Sequence, residues 1–480
     1  MGKSAMTQRL QRSRPTRAAA TARGRADWIF IGAVLLLTAL GLVMAYSTTF
    51  FWSHVQEGNP LTIFGKQLLY AGLGLVGFAV FSRLDYGIYR RFAVWIMGGC
   101  LLLLVSVILF GDDVFGARRT LLRGSVQPSE LVKLGVIIYA AAWLASRRDQ
   151  VQSVSNGLIP FGVIVGLVSF LIVVQPDLST TAVIVLVAMA MFFMAGASWT
   201  QLALVALIAA SAFLLLITIV PHATIRVNEF IKVWRAPSEM DYHIRQTLIT
   251  LGGGGLFGNG IGASGQKFGY LPTPHTDSVM AVLGDEMGLL GLVMTLALFV
   301  IFAWRGLRIA HAADTPFGSF IVIGVVIWVI GQMLLNVMAI MAMIPFTGVP
   351  VPFLSVGGSS LVSLLIACGV VVSVARGSRM LREDTAPVVA PFMVGNAKGG
   401  GSVRASATIR GGNGRARFAR AHRAKGAGRP AQVEGADATI IGRDIRAGGV
   451  LRRRIGRHNA SPFVGTDPGA VRWRRKRDGA

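Results

Sequence analysis

The chain reads as an all-α polytopic membrane protein: ten transmembrane helices, a large extracytoplasmic loop between helices 7 and 8, and a disordered basic C-terminal tail. Three observations predict this. Only 14% of the 480 residues are charged, against 53% hydrophobic, and mean hydropathy is +0.60; a soluble globular chain carries about 25% charged residues. Ten apolar runs approach the ~20 residues a helix needs to cross a bilayer: 28–48, 64–82, 91–110, 130–146, 157–174, 179–196, 200–220, 278–303, 317–343 and 359–376. The net charge of +25 sits mainly at the ends, since 7 of the 47 Lys and Arg residues precede Asp27 and 22 follow Arg376, leaving 18 between.

These shifts divide the chain into a basic arm (1–26), a membrane domain (27–380) and a basic tail (381–480). The arm is expected to be cytoplasmic and carries no secretory signal pattern, because the first apolar run is long enough to span and stay. The stretch 179–220 divides at Gly196-Ala-Ser-Trp-Thr200. Positive charge marks the cytoplasmic side. Arg83, Arg90, Arg91, Arg147, Arg148, Arg305 and Arg308 then lie inside, and the outer loops 49–63, 175–178 and 344–358 hold no Lys or Arg. Ten spans place both termini in the cytoplasm, with the protein in the cytoplasmic membrane.

Two outer segments break that pattern. Residues 111–129 carry Arg118, Arg119 and Arg123, and residues 221–277 carry Arg226, Lys232, Arg235, Arg245 and Lys267. Cations on the outer face argue for an anionic ligand at the membrane surface. Within the long loop, Ile225, Val227, Phe230, Ile231 and Trp234 form an apolar stripe that predicts an interfacial helix. Tyr242–Leu251 predicts a second short helix, ended by Gly252–Gly255. The tail, rich in Gly, Ala and Arg, predicts disorder and attraction to anionic lipid rather than nucleic acid. Cys100 and Cys368 sit in apolar runs and read as core residues, with no disulfide or metal spacing.

The motifs that carry chemistry cluster at the outer helix ends. In Tyr270-Leu-Pro-Thr-Pro-His-Thr-Asp277 an aspartate stands at the lip of a span, where desolvation is costly, so Asp277 is a functional candidate together with His275 and Lys267. Gln127-Pro-Ser-Glu130-Leu-Val-Lys133 puts Glu130 and Lys133 on one helix face, as a structural pair or as the wall of a polar cavity with Lys133 answering an anion. In Gln175-Pro-Asp177, the aspartate reads as a helix cap. Asp285 and Glu286, two turns into the eighth span, must be paired, protonated or metal-bound. Residues 345–360, rich in Pro and Gly, read as non-helical backbone bordering the same cavity as Asp277. Gly260-Ile-Gly262-Ala-Ser-Gly265 fits the dinucleotide pattern but lacks the strand and helix that give it meaning; it reads as flexible or close-packed backbone near a ligand.

Gly116-Ala-Arg-Arg119, Gln127–Lys133, Gln175–Thr180, Tyr270–Asp277 with Gly284-Asp-Glu-Met-Gly288, and Thr347–Ser360 occur in this order, and with them residues 27–380 resemble the SEDS family (FtsW, RodA and SpoVE). The resemblance implies a ten-span glycosyltransferase that polymerises lipid II at the outer face of the membrane beside a class B penicillin-binding protein, with a divalent cation (Mg or Mn) in its assays. It implies that Asp277 is the essential acidic residue, as the base that deprotonates the acceptor hydroxyl or as a cation ligand that does so indirectly. On that reading Arg118, Arg119 and Lys133 hold the lipid diphosphate, Lys267 and His275 assist on the substrate side, and Glu130 orients Lys133. The sequence departs from the family at Thr120 (usually Trp), Ser278-Val-Met (usually Phe-Ile-Phe) and Val356 (commonly Tyr). The basic arm leans toward the FtsW branch and septal synthesis. Two other classes are weighed: a lipid II flippase, which would place charges near the midplane, and a non-catalytic scaffold, which would tolerate loss of Asp277.

Overall fold

The computed structural model describes residues 26–114, 117–120, 127–219 and 221–377. The basic arm before Ala26, Arg123 and the tail after Gly377 lie outside the described residues. The order of helices is α1 (Trp28–Glu57), α2 (Thr62–Arg83), α3 (Tyr86–Phe110), α4 (Pro128–Ser146), α5 (Ile159–Val174), α6 (Leu178–Met194), α7 (Trp199–Ile219), α8 (Pro221–Arg235), α9 (Tyr242–Gly253), α10 (Val279–His311), α11 (Pro316–Ile340) and α12 (Gly358–Gly377). Eight helical segments among the described residues are long and apolar enough to cross a membrane; α6 and the Trp199–Leu215 part of α7 are shorter apolar helices. All ten coincide with the apolar runs read from the sequence. The all-α expectation gains one short addition, an antiparallel pair β1 (Asp112–Val114) and β2 (Ala117–Thr120) between α3 and α4.

The helix starts follow from local chemistry. Asp27, Asp85, Asp177 and Thr315 each accept a backbone N–H of the first turn, which satisfies an otherwise orphaned donor. Pro128 and Pro316 occupy first-turn positions, where no N–H is needed. Outside the bundle's interior the exposed residues are apolar, as with Trp95, Leu102 and Phe110 on α3 and Leu207, Ile208 and Leu214 on α7.

In a bilayer apolar burial does not favour helix contact over lipid contact, so close backbone approach and polar ties have to hold the bundle. The α2–α12 interface shows the first: a Cβ on Gly369 would fall 2.6 Å from the Phe78 carbonyl oxygen, and one on Gly74 would fall 2.6 Å from Leu365. At one end of the bundle Asp27 shows the second, holding Arg305 through Oδ2 at 2.5 Å and Oδ1 at 3.2 Å. The central core is shared by α1, α4, α10, α11 and α12, with Phe30 against Phe302 at 5.0 Å and Trp328 buried.

The predicted eighth span is not continuous. Within α10 Gly288 has φ 65 and ψ −167, which breaks the helix. The loop after α9 completes the hydrogen bonds that the break leaves open. Asn259 and Gly260 donate to the carbonyls of Asp285 and Glu286, and Leu289 and Leu290 donate to those of Gly255 and Leu256. The loop must come close to do this, since a Cβ on Gly254 would sit 2.1 Å from the Gly284 oxygen. At Gly254 and Gly258 the loop is therefore backbone packed on backbone, and the break is satisfied internally as apolar surroundings require.

Candidate active site

The turn 270–278 carries Asp277 to the start of α10, and the loop 345–357 between α11 and α12 folds onto it. Ser355 Oγ accepts from Val351 N (2.7 Å) and donates to the Thr276 carbonyl (2.6 Å), while Val356 N donates to the His275 carbonyl (2.8 Å). From α11, Asn336 Nδ2 donates to the carbonyls of both Asp277 (2.9 Å) and Val349 (2.7 Å). Turn and loop are thus fixed to one helix and to each other.

The side chain of Asp277 meets this loop at Gly348. A Cβ on Gly348 would lie 3.3 Å from Asp277 Oδ2 and 3.8 Å from Arg226 Nη2, and the residue has φ 66. Glycine is required here for conformation and for space. Arg226, from α8, donates through Nη1 to the Thr347 carbonyl (3.1 Å), which also accepts from Ser179 Oγ at the start of α6. Burial pushes the Asp277 carboxyl up from 3.8 to about 6, and the Arg226 guanidinium opposes that rise. A buried carboxylate with a raised pKa beside a guanidinium has the properties that acid–base chemistry on an anionic substrate calls for.

The other expected site residues are placed as follows. Glu130 and Lys133 are buried on α4 and pair at 2.8 Å. Lys133 also donates to Gln332 Oε1 (3.0 Å) and lies over the Trp328 ring, and Glu130 accepts from Ser360 Oγ (2.9 Å). Gln332 Nε2 donates to the Pro350 carbonyl (2.8 Å), so the pair connects to the loop beside Asp277 rather than to Asp277 itself. Asp177 caps α6 and accepts in addition from Gln127 Nε2 (3.2 Å) and Ser129 Oγ (3.5 Å), joining α4 to α6. Lys267 is placed apart from the role expected for it. Its ammonium is buried against Glu286 Oε1 (2.6 Å) and Ser47 Oγ (2.8 Å), so its charge is already matched by a residue two turns into α10. His275 contributes its carbonyl; its ring Nδ1 is buried with no partner among the described residues, and burial lowers its pKa. Arg118 and Arg119 belong to β2, and their side chains lie outside the described part of the structure.

Arg226 and Asn336 were not singled out by the sequence. Arg226 stood among the cations of the long loop with nothing to rank it above Lys232 or Arg235. Asn336 carried a signal, an amide within an apolar helix, which demands a partner.

A profile of the cell cycle protein family FtsW/RodA/SpoVE matches residues 27–380. The stage V sporulation protein E of Bacillus subtilis is 36% identical over 357 residues, which are 74% of this chain and 98% of that protein. A Coxiella burnetii protein named probable peptidoglycan glycosyltransferase FtsW is 35% identical over 356 residues, 72% of this chain and 95% of that one. The chain belongs to the FtsW/RodA/SpoVE family. Among solved structures, the rod shape determining protein RodA of Thermus thermophilus aligns with a TM-score of 0.55 at 26% identity, over 74% of this chain and 98% of RodA. A chain from a peptidoglycan synthase complex, described as coordinating polymerization and crosslinking, aligns with a TM-score of 0.60 at the same identity and coverage.

Proposed function

We propose that this protein is a peptidoglycan glycosyltransferase that polymerises lipid II at the outer face of the cytoplasmic membrane, with both termini in the cytoplasm and a class B penicillin-binding protein as partner. The basic arm favours the FtsW branch and septal synthesis. The observation that carries the reading is the meeting of Asp277 and Arg226 over Gly348 at the end of the bundle that bears the long loop.

The reaction needs a base for the acceptor hydroxyl and positive charge for the departing diphosphate. Asp277 takes the hydroxyl proton as the new glycosidic C–O bond forms. The anomeric bond to the lipid diphosphate breaks in the same displacement, with inversion, and Arg226 receives the developing negative charge through a planar fork suited to phosphate. Arg118 and Arg119 are the further diphosphate ligands of this reading. Glu130 and Lys133 support the loop through Gln332.

A divalent cation fits this chemistry in one way. No group of three or more His, Cys, Asp or Glu side chains forms a metal cluster among the described residues. Mg²⁺ is commonly held by one or two carboxylates plus substrate phosphates, and Asp277 supplies one carboxylate. Such an ion would neutralise charge on the diphosphate.

The test is lipid II polymerisation by the purified chain with its transpeptidase and Mg²⁺, wild type beside Asp277→Ala. Glycan strands from the wild type, reduced about 10²- to 10⁴-fold in the variant, are the expected result. Equal product from both removes Asp277 from the chemistry. No product from either favours the transporter or scaffold.

A further inference from the structure

The start of α9 grips the turn that bears Asp277 at both ends. Tyr242 OH donates to the Tyr270 carbonyl (2.8 Å), and His243 Nε2 lies 3.1 Å from Ser278 Oγ, the residue after Asp277. Asp241 Oδ2 accepts from His243 N (2.9 Å) and fixes that end of the helix. The His243 ring also packs on Phe346, centroids 4.3 Å apart, and Phe346 leads directly into Thr347 and Gly348. One side chain therefore touches the neighbours of both halves of the site. Helix packing alone does not require this, since Ile244, Thr247 and Thr250 form the buried face of α9.

The hydrogen-bond network assigns the tautomer. Ser278 Oγ donates to the Pro272 carbonyl (3.3 Å), so His243 Nε2 carries the proton and donates to Ser278. The charged groups acting on the ring are Asp241 and Arg226; burial is the largest influence and, with Arg226, holds the pKa below its ordinary value. Protonation would leave Nε2 a donor, so the contact survives acid. Ser278 stands where the family resemblance expects an aromatic residue, which ties this bond to this chain's own pair of side chains.

We propose that His243 is a positioning residue for Asp277: through Ser278 and Phe346 it holds the 270–278 turn and the 346–349 loop in register, so that the carboxylate meets the acceptor hydroxyl. The catalytic consequence rests on the glycosyltransferase reading; the brace is geometric and is testable without it.

The experiment compares wild type, His243→Ala, His243→Gln, Ser278→Ala and the double alanine variant in nanodiscs, by steady-state lipid II polymerisation across pH and by hydrogen exchange. His243→Ala is expected to lower kcat about 10- to 100-fold, the scale of a misplaced catalytic group, with KM within about threefold. Its acidic limb should move below that of the wild type, because a loosened turn lets water reach the Asp277 carboxyl. Glutamine, whose amide donates to Ser278, should restore most of both. Because Ser278 Oγ also holds the Pro272 carbonyl, adding Ser278→Ala to His243→Ala should cost less than Ser278→Ala costs in the wild type, the share that passes through His243 being already lost. Exchange should quicken in 272–278 and 346–349 together. A residue that merely aids folding would lower the yield and leave the limb and both segments unchanged, and that result overturns the proposal. So does faster exchange with wild-type kcat. If the wild type makes no glycan, the glycosyltransferase reading fails, and unchanged exchange in the variant would then overturn the brace as well.

Discussion

Asp277→Asn is expected to stabilise the protein while abolishing its activity, and to do so only where the wild-type carboxyl would be ionised. Burial holds the folded-state pKa at about 6, against 3.8 for a solvated aspartate. The sign follows from linkage: between these values the folded chain binds more proton than the unfolded one, so stability falls as pH rises. The penalty is nearly absent below 3.8 and complete above 6. At about 1.4 kcal/mol per pH unit it reaches about 3 kcal/mol at pH 7.5 and about 0.5 kcal/mol at pH 4. Asparagine removes it. The attraction to Arg226 is already contained in the value of about 6, so its loss is not subtracted a second time. The gain is therefore about 3 kcal/mol at pH 7.5, a rise of several degrees in Tm for a domain of this size. Tryptophan-monitored thermal unfolding in nanodiscs at the two pH values measures it. A variant no more stable than wild type at pH 7.5, or one equally stabilised at pH 4, would refute the argument that Asp277 is held charged at a cost. The same carboxyl sets the activity profile: kcat/KM of the wild type should fall about tenfold per unit below pH 6, as the base is protonated.

Three further outcomes are expected. Arg226→Ala removes the charge that opposes the rise in the Asp277 pKa, so the acidic limb should move above 6, and kcat should drop about 10²-fold with the loss of diphosphate stabilisation; an unmoved limb would separate the two side chains. Gly348→Ala places a methyl group 3.3 Å from Asp277 Oδ2 in a left-handed conformation and should cost about 10²-fold in kcat, whereas Gly357→Ala, whose Cβ meets nothing closer than 3.5 Å, serves as the control and should keep near-normal turnover. Lys267→Met leaves Glu286 buried without its cation and should destabilise by about 3–5 kcal/mol, with Glu286→Gln in the same chain recovering much of it; thermal unfolding of the single and double variants would expose a lone surface-like pair if neither changed.

What the sequence made legible were features that are local in the chain. A run of 20 apolar residues has few alternatives to a helix, and Asp277 is conspicuous because a carboxylate at a helix lip is costly wherever the rest of the fold lies. Asp177 as a cap and Glu130 with Lys133 as a pair are likewise three-residue facts. The rest depends on partners far along the chain. Lys267 looked available for a diphosphate because Glu286 is 19 residues away and Ser47 is 220 away. The break at Gly288 could not be read, since glycine is common within membrane helices and only the loop 254–260 makes φ 65 affordable there. Arg226 acquires its meaning from Thr347, 121 residues on.

These long-range ties also change what the buried motifs are for. Trp328, Gln332 and Asn336 recur every four residues on α11, which puts them along one face. Trp328 Nε1 donates to Gln332 Oε1 (2.8 Å), Gln332 donates to the Pro350 carbonyl, and Asn336, one turn further, donates to those of Val349 and Asp277. Successive turns of one helix thus hold successive carbonyls of the loop that shapes the Asp277 site. The Glu130–Lys133 pair enters at Gln332, one turn from the Asn336 that holds the Asp277 carbonyl. A charge pair of this kind, buried and hydrogen-bonded at every step, is a poor diphosphate ligand, because binding an anion would require Lys133 to give up Glu130 in a low-dielectric interior. It is a good anchor for the same reason. On the glycosyltransferase reading the positive charge for the diphosphate then falls to residues nearer water, and α8 carries the exposed Arg226 beside Asp277.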